Sequence, residues 1–301
     1  MKSELSISSW NINKALSLDD ECGAARREGV YEYVMRHPYD VHIFIEAYGN
    51  SDEELPEDVR RHFEDMGYEV GDCPHHDSER EADDPTVQKG IVYLSRVGAV
   101  QSTVVNFDGK RDMPLLSLER PNGGKSQILA VHLDDRTEYA RWIQVRSIID
   151  NFCDCSDNLI IAGDFNSMPK DSRVARALRS ADFAHLAMTQ RDGRVASLLQ
   201  RSGQMAIGGA YQALTSELNL TDADPNFQPT ITIRQKGFRM PESVSQILES
   251  AGVNLEGGIF KLDHFLAGGD YAIKKFEVED VAGKVSDHLA IRAVYQYLQK
   301  N

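Results

Sequence analysis

Leu5-Ser6-Ile7-Ser8-Ser9-Trp10 alternates apolar and polar residues with the period of a half-buried strand and ends at Asn11-Ile12-Asn13. A helix is expected over 21–36, with Val30, Tyr33 and Val34 on one face. Val41-His42-Ile43-Phe44-Ile45 is a short apolar run that predicts a buried strand, and it stops at Glu46. Leu55, Val59, Phe63 and Met66 have the spacing of one helical face, so a second helix is expected over 55–66. Four strand-like runs follow at 90–94, 99–107, 114–118 and 127–133, then a helix at 137–151 and a buried strand at 158–162. The stretch 172–220 reads as helices and loops, 225–241 as irregular, and 241–249 as a short helix with Pro near its first turn. Strands return at 260–267, 271–278 and 289–297. Strands recur from end to end, no Pro/Ser-rich linker divides the chain, and no internal repeat is visible, so one domain over 1–301 is expected.

Composition narrows the class. Of 301 residues, 41% are apolar and 27% charged, which suits a packed globule rather than a disordered chain. No run approaches the ~20 apolar residues of a membrane-crossing helix. The first residues lack the apolar core of a secretion signal, and four unevenly spaced cysteines do not make a disulfide framework. A cytoplasmic protein with no obligate protein partner is expected. The net charge is −14, and most of it lies in one segment: 46–84 holds fifteen acids and three bases. That segment disfavours long-range attraction to nucleic acid. It also contains His75-His76, read as a solvated loop pair, while Lys110, Arg111, Arg191, Arg194 and Arg201 read as scattered positive charges, with phosphate anchoring the alternative.

The chemistry lies where the strands end. Polar groups terminate the runs at Trp10-Asn11-Ile12-Asn13, Ile45-Glu46, Val131-His132-Leu133-Asp134, Gly163-Asp164-Phe165-Asn166 and Lys261-Leu262-Asp263-His264; Ser286-Asp287-His288 opens the last strand. Singly, each has a structural explanation: Gly-Asp-x-Asn forms turns, Ser-Asp caps helices, and a histidine among apolar residues is often a hydrogen-bonded core group. Together they assemble carboxylates, amides and imidazoles at strand ends, the groups needed for a hard divalent cation and acid–base chemistry on a phosphoester.

In that order the motifs resemble the endonuclease/exonuclease/phosphatase superfamily, from Asn11 to His288, and His132-Leu133-Asp134-Asp135-Arg136 is most similar to its bacterial metal-dependent hydrolase branch. The resemblance implies a four-layer α/β sandwich, with two mostly antiparallel sheets face to face and helices outside. It further implies Mg²⁺, replaceable by Mn²⁺, on Glu46 with help from Asn11 and Asp287. Asp164 would orient or deprotonate the attacking water. Asn166 would donate to a phosphate oxygen, and His288, oriented by Asp263, would serve as base or electrostatic partner. His132 would contact the phosphate and protonate the leaving oxygen. Asn13, Arg136 and Phe260 complete the set as substrate-contact candidates.

Two positions depart from the pattern. Asn13 stands where many of the nucleases carry Asp, and Phe260 where some apurinic endonucleases carry Trp. No Lys/Arg-rich arm suited to clamping DNA is visible. The expected activity is hydrolysis of a phosphodiester or phosphomonoester, on a substrate that is a small molecule, lipid-borne or nucleic acid. A nuclease or DNA-repair phosphodiesterase is the alternative, and a non-catalytic binding module retaining the fold is a third reading.

Overall fold

The computed structural model describes residues 3–17, 21–49, 54–74, 90–97, 101–106, 111–120, 123–232, 242–253, 260–279 and 285–298. Asp52, Glu53, His75, His76 and Lys110 lie outside them. Twelve strands are described: β1 Glu4–Asn11, β2 Val41–Ile45, β3 Glu69–Cys73, β4 Ile91–Ser95, β5 Gln101–Asn106, β6 Asp112–Glu119, β7 Lys125–His132, β8 Leu159–Asp164, β9 Thr221–Asp222, β10 Asp263–Ala267, β11 Tyr271–Glu279 and β12 Ala290–Tyr297. The helices among the described residues are α1 Glu21–Arg36, α2 Glu57–Asp65, α3 Glu138–Phe152, α4 Arg173–Leu178, α5 Ala181–Thr189, α6 Gly193–Met205, α7 Gly209–Glu217 and α8 Glu242–Ser250.

The strands form two six-stranded sheets, ordered β11-β12-β1-β2-β4-β3 and β5-β6-β7-β8-β10-β9. Each sheet has one parallel pair, β1 with β2 and β7 with β8, while its other pairs are antiparallel. In each case a helix, α1 or α3, makes the crossover that a parallel pair requires. Strand alternation sorts the side chains. Leu5, Ile7, Ile43, Ile128, Ala130, Ile160, Ala162 and Phe265 meet in the core between the sheets. Trp10 and Phe44 face outward under α1 and α2, and Leu129, Val131 and Ile161 face outward under α3 and α7. The result is the four-layer sandwich, helices outside and two mostly antiparallel sheets within. No helix among the described residues is long and apolar enough to cross a membrane.

Several elements differ from expectation. The second helix starts at Glu57, behind a Pro56 whose extended backbone places Leu55 in the core ahead of the helix. The stretch 172–220 resolves into α4 to α7, with Ser172 and Ser180 capping the first two through side-chain acceptance of backbone N–H groups. The strand expected over 260–267 begins at Asp263, because 260–262 serve the loop ahead of it: Thr230 and Ile231 donate to the Phe260 carbonyl. Two strands were not expected at all. β3 is a charged edge strand, and β9 has two residues that pair only with β10.

Candidate active site

One rim of the sandwich collects the strand-end groups, and strand parity explains why. Asn11, His132, Asp164 and Asp263 each occupy the parity of their strand's core-facing residues, so they continue the inter-sheet core as a polar lid. Register aligns them. His132 lies opposite Asp164 in the parallel pair, and Asp164 opposite Asp263 in the antiparallel one.

Asp164 is the hub. Its residue is 2% exposed, and both oxygens are held. Asn11 Nδ2 donates to Oδ2 at 3.1 Å across the gap between the sheets, and the Asn166 backbone N–H donates to Oδ1 at 2.9 Å. Burial and the neighbouring Asp263 carboxylate nonetheless push its pKa up to about 7, against the lowering effect of His288 and the two hydrogen bonds. His288 Nδ1 lies 2.9 Å from Asp263 Oδ2, and its Nε2 faces Asp164 Oδ2 at 3.9 Å. Burial opposes charge on this imidazole, but Asp263, Asp164 and Asp287 outweigh it and raise the pKa to about 10. The same hydrogen bond fixes the ring's orientation.

Supporting residues outside the candidate set hold this group. The Trp10 indole donates to the His288 carbonyl at 2.9 Å. Thr230 Oγ1 accepts from both Leu262 N and Asp263 N at 3.1 Å. The Ser286 hydroxyl donates to the Asn11 carbonyl at 2.6 Å, which ties the loop carrying Asp287 to the end of β1. A lone serine or threonine carries no signal separating these duties from surface positions.

Glu46 follows β2 with φ +50°, and Asn166 follows β8 with φ +46°. A glutamate in the left-handed region is uncommon, and such strain clusters at functional sites. Glu46 Oε1 lies 3.4 Å from His132 Nε2, and its side chain keeps 12% of its surface open. Asn166 Nδ2 donates to the Leu133 carbonyl at 3.0 Å, leaving its second amide hydrogen for another acceptor.

The remaining candidates fall into place unevenly. The Asn13 backbone N–H donates to Asn11 Oδ1 at 3.1 Å, so it shapes the rim through its main chain. Arg136 N donates to Asp134 Oδ1 in a turn beside α3. Phe260 is half-buried and packs in the apolar cluster under α4, α5 and α8. His264, next to Asp263, points to the opposite face of β10 toward Asp222 and the Ser167 carbonyl. Arg111 is neither a scattered surface charge nor an exposed phosphate anchor: it is 4% exposed, and its guanidinium donates to main-chain carbonyls.

The donor set suits a hard divalent cation. Glu46, Asp287 and Asn11 carry the oxygen donors that a hard cation takes, and the buried Asp263 Oδ1 has no hydrogen-bond partner. Among the described residues, the carboxylate–imidazole trio within 4.8 Å is Asp164, Asp263 and His288. Its imidazole is already committed to Asp263 through Nδ1, so this trio is better matched to proton chemistry than to full coordination.

This chain belongs to the endonuclease/exonuclease/phosphatase family, whose model matches residues 8–288. Hydrolases of that family act on phosphoesters. No curated protein matches the chain significantly. Among solved structures, an endonuclease/exonuclease/phosphatase from Beutenbergia cavernae DSM 12333 is similar with TM-score 0.63 and 17% identity, over 98% of this chain and 72% of that one. The human Nocturnin catalytic domain with bound sulfate anion gives 0.58 and 16%, over 99% and 96%. TDP2 of D. rerio, complexed with single strand DNA product, gives 0.56 and 17%, over 98% and 100%. At these identities the likeness is one of fold.

Proposed function

We propose that residues 1–301 form one catalytic unit, a Mg²⁺-dependent phosphoesterase that cleaves a phosphodiester or phosphomonoester by in-line attack of water. The observation that carries this reading is the buried Asp164, whose Oδ2 is held by Asn11 from the other sheet and faced by His288, itself paired with Asp263. Phosphoester hydrolysis is so slow uncatalysed that the site must supply on the order of 20 kcal/mol, more than any single group provides. Asp164, fixed through both oxygens, orients the attacking water and takes its proton. As the new P–O bond forms, the leaving oxygen departs on the opposite side of phosphorus. His288, held by Asp263, faces the negative charge that builds on the phosphoryl oxygens, and the free amide hydrogen of Asn166 donates to one of them. His132 protonates the leaving oxygen. Glu46, Asn11 and Asp287 would hold the cation, which supplies Lewis-acid stabilisation of the same charge.

The test is a substrate panel with Mg²⁺, with Mn²⁺ and with excess EDTA: bis-p-nitrophenyl phosphate, single- and double-stranded DNA, RNA, sphingomyelin and inositol phosphates. At least one ester should be hydrolysed in a metal-dependent way. Full turnover in EDTA, or no turnover of any ester, would overturn the proposal. Which esters react separates a nuclease from an enzyme of small or lipid-borne substrates.

A further inference from the structure

Arg111 is buried, with 4% of its surface exposed, and its guanidinium meets main-chain carbonyls. It stands just ahead of β6. Pairing between β6 and β7 starts only at Leu115 opposite Leu129, next to Pro114, which has no N–H to offer. The carbonyls at the far end of β7 are therefore taken by a side chain. Arg111 Nη1 donates to the His132 carbonyl at 2.9 Å and to the Leu133 carbonyl at 2.6 Å. Its Nη2 lies 3.9 Å from Asp134 Oδ2 and 3.6 Å from Asp135 Oδ1, too far for strong hydrogen bonds. The Leu133 carbonyl has a second donor, Asn166 Nδ2 at 3.0 Å.

We infer that Arg111 is a positioning residue for the reaction: by clamping the His132–Leu133 peptide, it sets both the His132 ring and the Asn166 amide. This rests on the phosphoesterase reading, in which those two groups meet the phosphate. The physical argument is one of shared acceptors. The Leu133 oxygen, loaded by a fixed guanidinium, offers Asn166 one geometry, and that geometry fixes which amide atom faces the site. The adjoining His132 carbonyl, held by the same nitrogen, fixes the backbone from which the imidazole reaches Glu46. Both bonds leave one nitrogen whose two N–H groups lie in the guanidinium plane, and a lysine ammonium supplies donors without that fixed plane.

The experiment compares Arg111→Gln and Arg111→Lys with the wild-type chain on an ester that the panel shows to be cleaved. Loss of such a supporting contact is expected to lower kcat by about 10–100-fold with KM nearly unchanged, and the lysine variant should recover part of it. In an Asn166→Ala background the same Arg111→Gln change should cost much less, since coupled residues are not additive. An arm independent of activity follows the Asn166 side-chain amide pair by NMR, assigned by its disappearance in Asn166→Asp. Arg111→Gln should shift that pair, and Arg111→Lys should shift it less. If the wild type cleaves nothing, the functional reading fails while the NMR arm still decides the positioning. Should Arg111→Gln not fold, Arg111→Lys carries both measurements. Unshifted Asn166 signals, or a kcat loss that persists in full without Asn166 and His132 side chains, would overturn the inference.

Discussion

The two parallel crossovers, β1–α1–β2 and β7–α3–β8, are built alike and end differently. In each, the residue after the first strand donates to the last residue of the second, Ile12 N to the Ile45 carbonyl and Leu133 N to the Asp164 carbonyl, both at 2.9 Å. In each, an arginine caps the first strand's exit: Arg26 donates to the carbonyls of Ile12 and Asn13, Arg111 to those of His132 and Leu133. Each second strand is followed by a residue in the left-handed region, Glu46 or Asn166. The acids, however, sit one step apart. Asp164 holds the last paired position, buried against Asp263, while Ile45 holds that position in the first unit and Glu46 comes after it, with its side chain 12% exposed. In the proposed reading, one step along the chain separates the carboxyl that moves a proton from the carboxylate that holds a cation, and environment divides the labour between them.

Removing each acid should break this division most visibly. Asp164→Asn is expected to lower kcat by about 10²–10⁴-fold, and added Mg²⁺ should not restore it. Glu46→Gln should instead raise the Mg²⁺ concentration required, with part of the rate returning at high Mg²⁺. Initial rates against Mg²⁺ for both variants check this, and identical responses would erase the distinction.

A second contrast lies one residue earlier, where β8 has Gly163 and β2 has the buried Phe44. Gly163 has φ +139°, and a Cβ there would come 2.1 Å from the Val131 carbonyl oxygen. Gly163→Ala should therefore destabilise by about 2 kcal/mol or more, read as a lower Tm in a thermal melt. A melt unchanged from wild type would show that the backbone can relax there.

A third contrast concerns pH. Behind the sheet, β1 and β2 pair Ser8 with His42, where β7 and β8 pair Leu129 with Ile161. His42 is wholly buried, with Ser8 Oγ at 2.7 Å and Tyr68 OH at 3.1 Å from its two nitrogens. Burial first, then the charges of Arg96 and His37, push its pKa down to about 3. The unfolded chain thus binds this proton first, so the stability His42 confers is full above about pH 6.5 and falls as pH drops toward 3, by at most about 1.4 kcal/mol per unit. His42→Gln should flatten the Tm profile between about pH 6.5 and 4.5. An unaltered slope would mean that other groups govern it.

The periodic parts of this fold were readable from the chain. Glu21–Arg36 and Val41–Ile45 appear with the expected bounds because apolar spacing and boundary residues agree there. β3 was hidden because Glu69 and Asp72 make it look like solvated loop; it becomes a strand by pairing with β4, with Gly71 making room for the Tyr93 ring. In 172–220, Ala, Arg and Gly left helix limits undetermined until the helices packed on one another. For the candidate site, strand-end polarity marked Asn11, Asp164, Asp263 and His288, which the structure brings together, but not their contacts. Asn11 and Asp164 are 153 positions apart, and only the docking of two sheets joins them. Arg111 was unreadable for a similar reason, since beside Lys110 it has the look of a surface charge.

The Asn11–Asp164 hydrogen bond makes the candidate site a gauge of how firmly the two sheets are docked. A partial opening that admits water at the rim, while leaving each sheet and its helices intact, would restore ordinary acidity to Asp164 and separate it from its amide partner. Under mild denaturant, then, turnover should vanish ahead of the circular-dichroism signal of strands and helices. In the proposed reading, catalytic competence belongs to the joint between the sheets, and it lasts only as long as that joint stays closed.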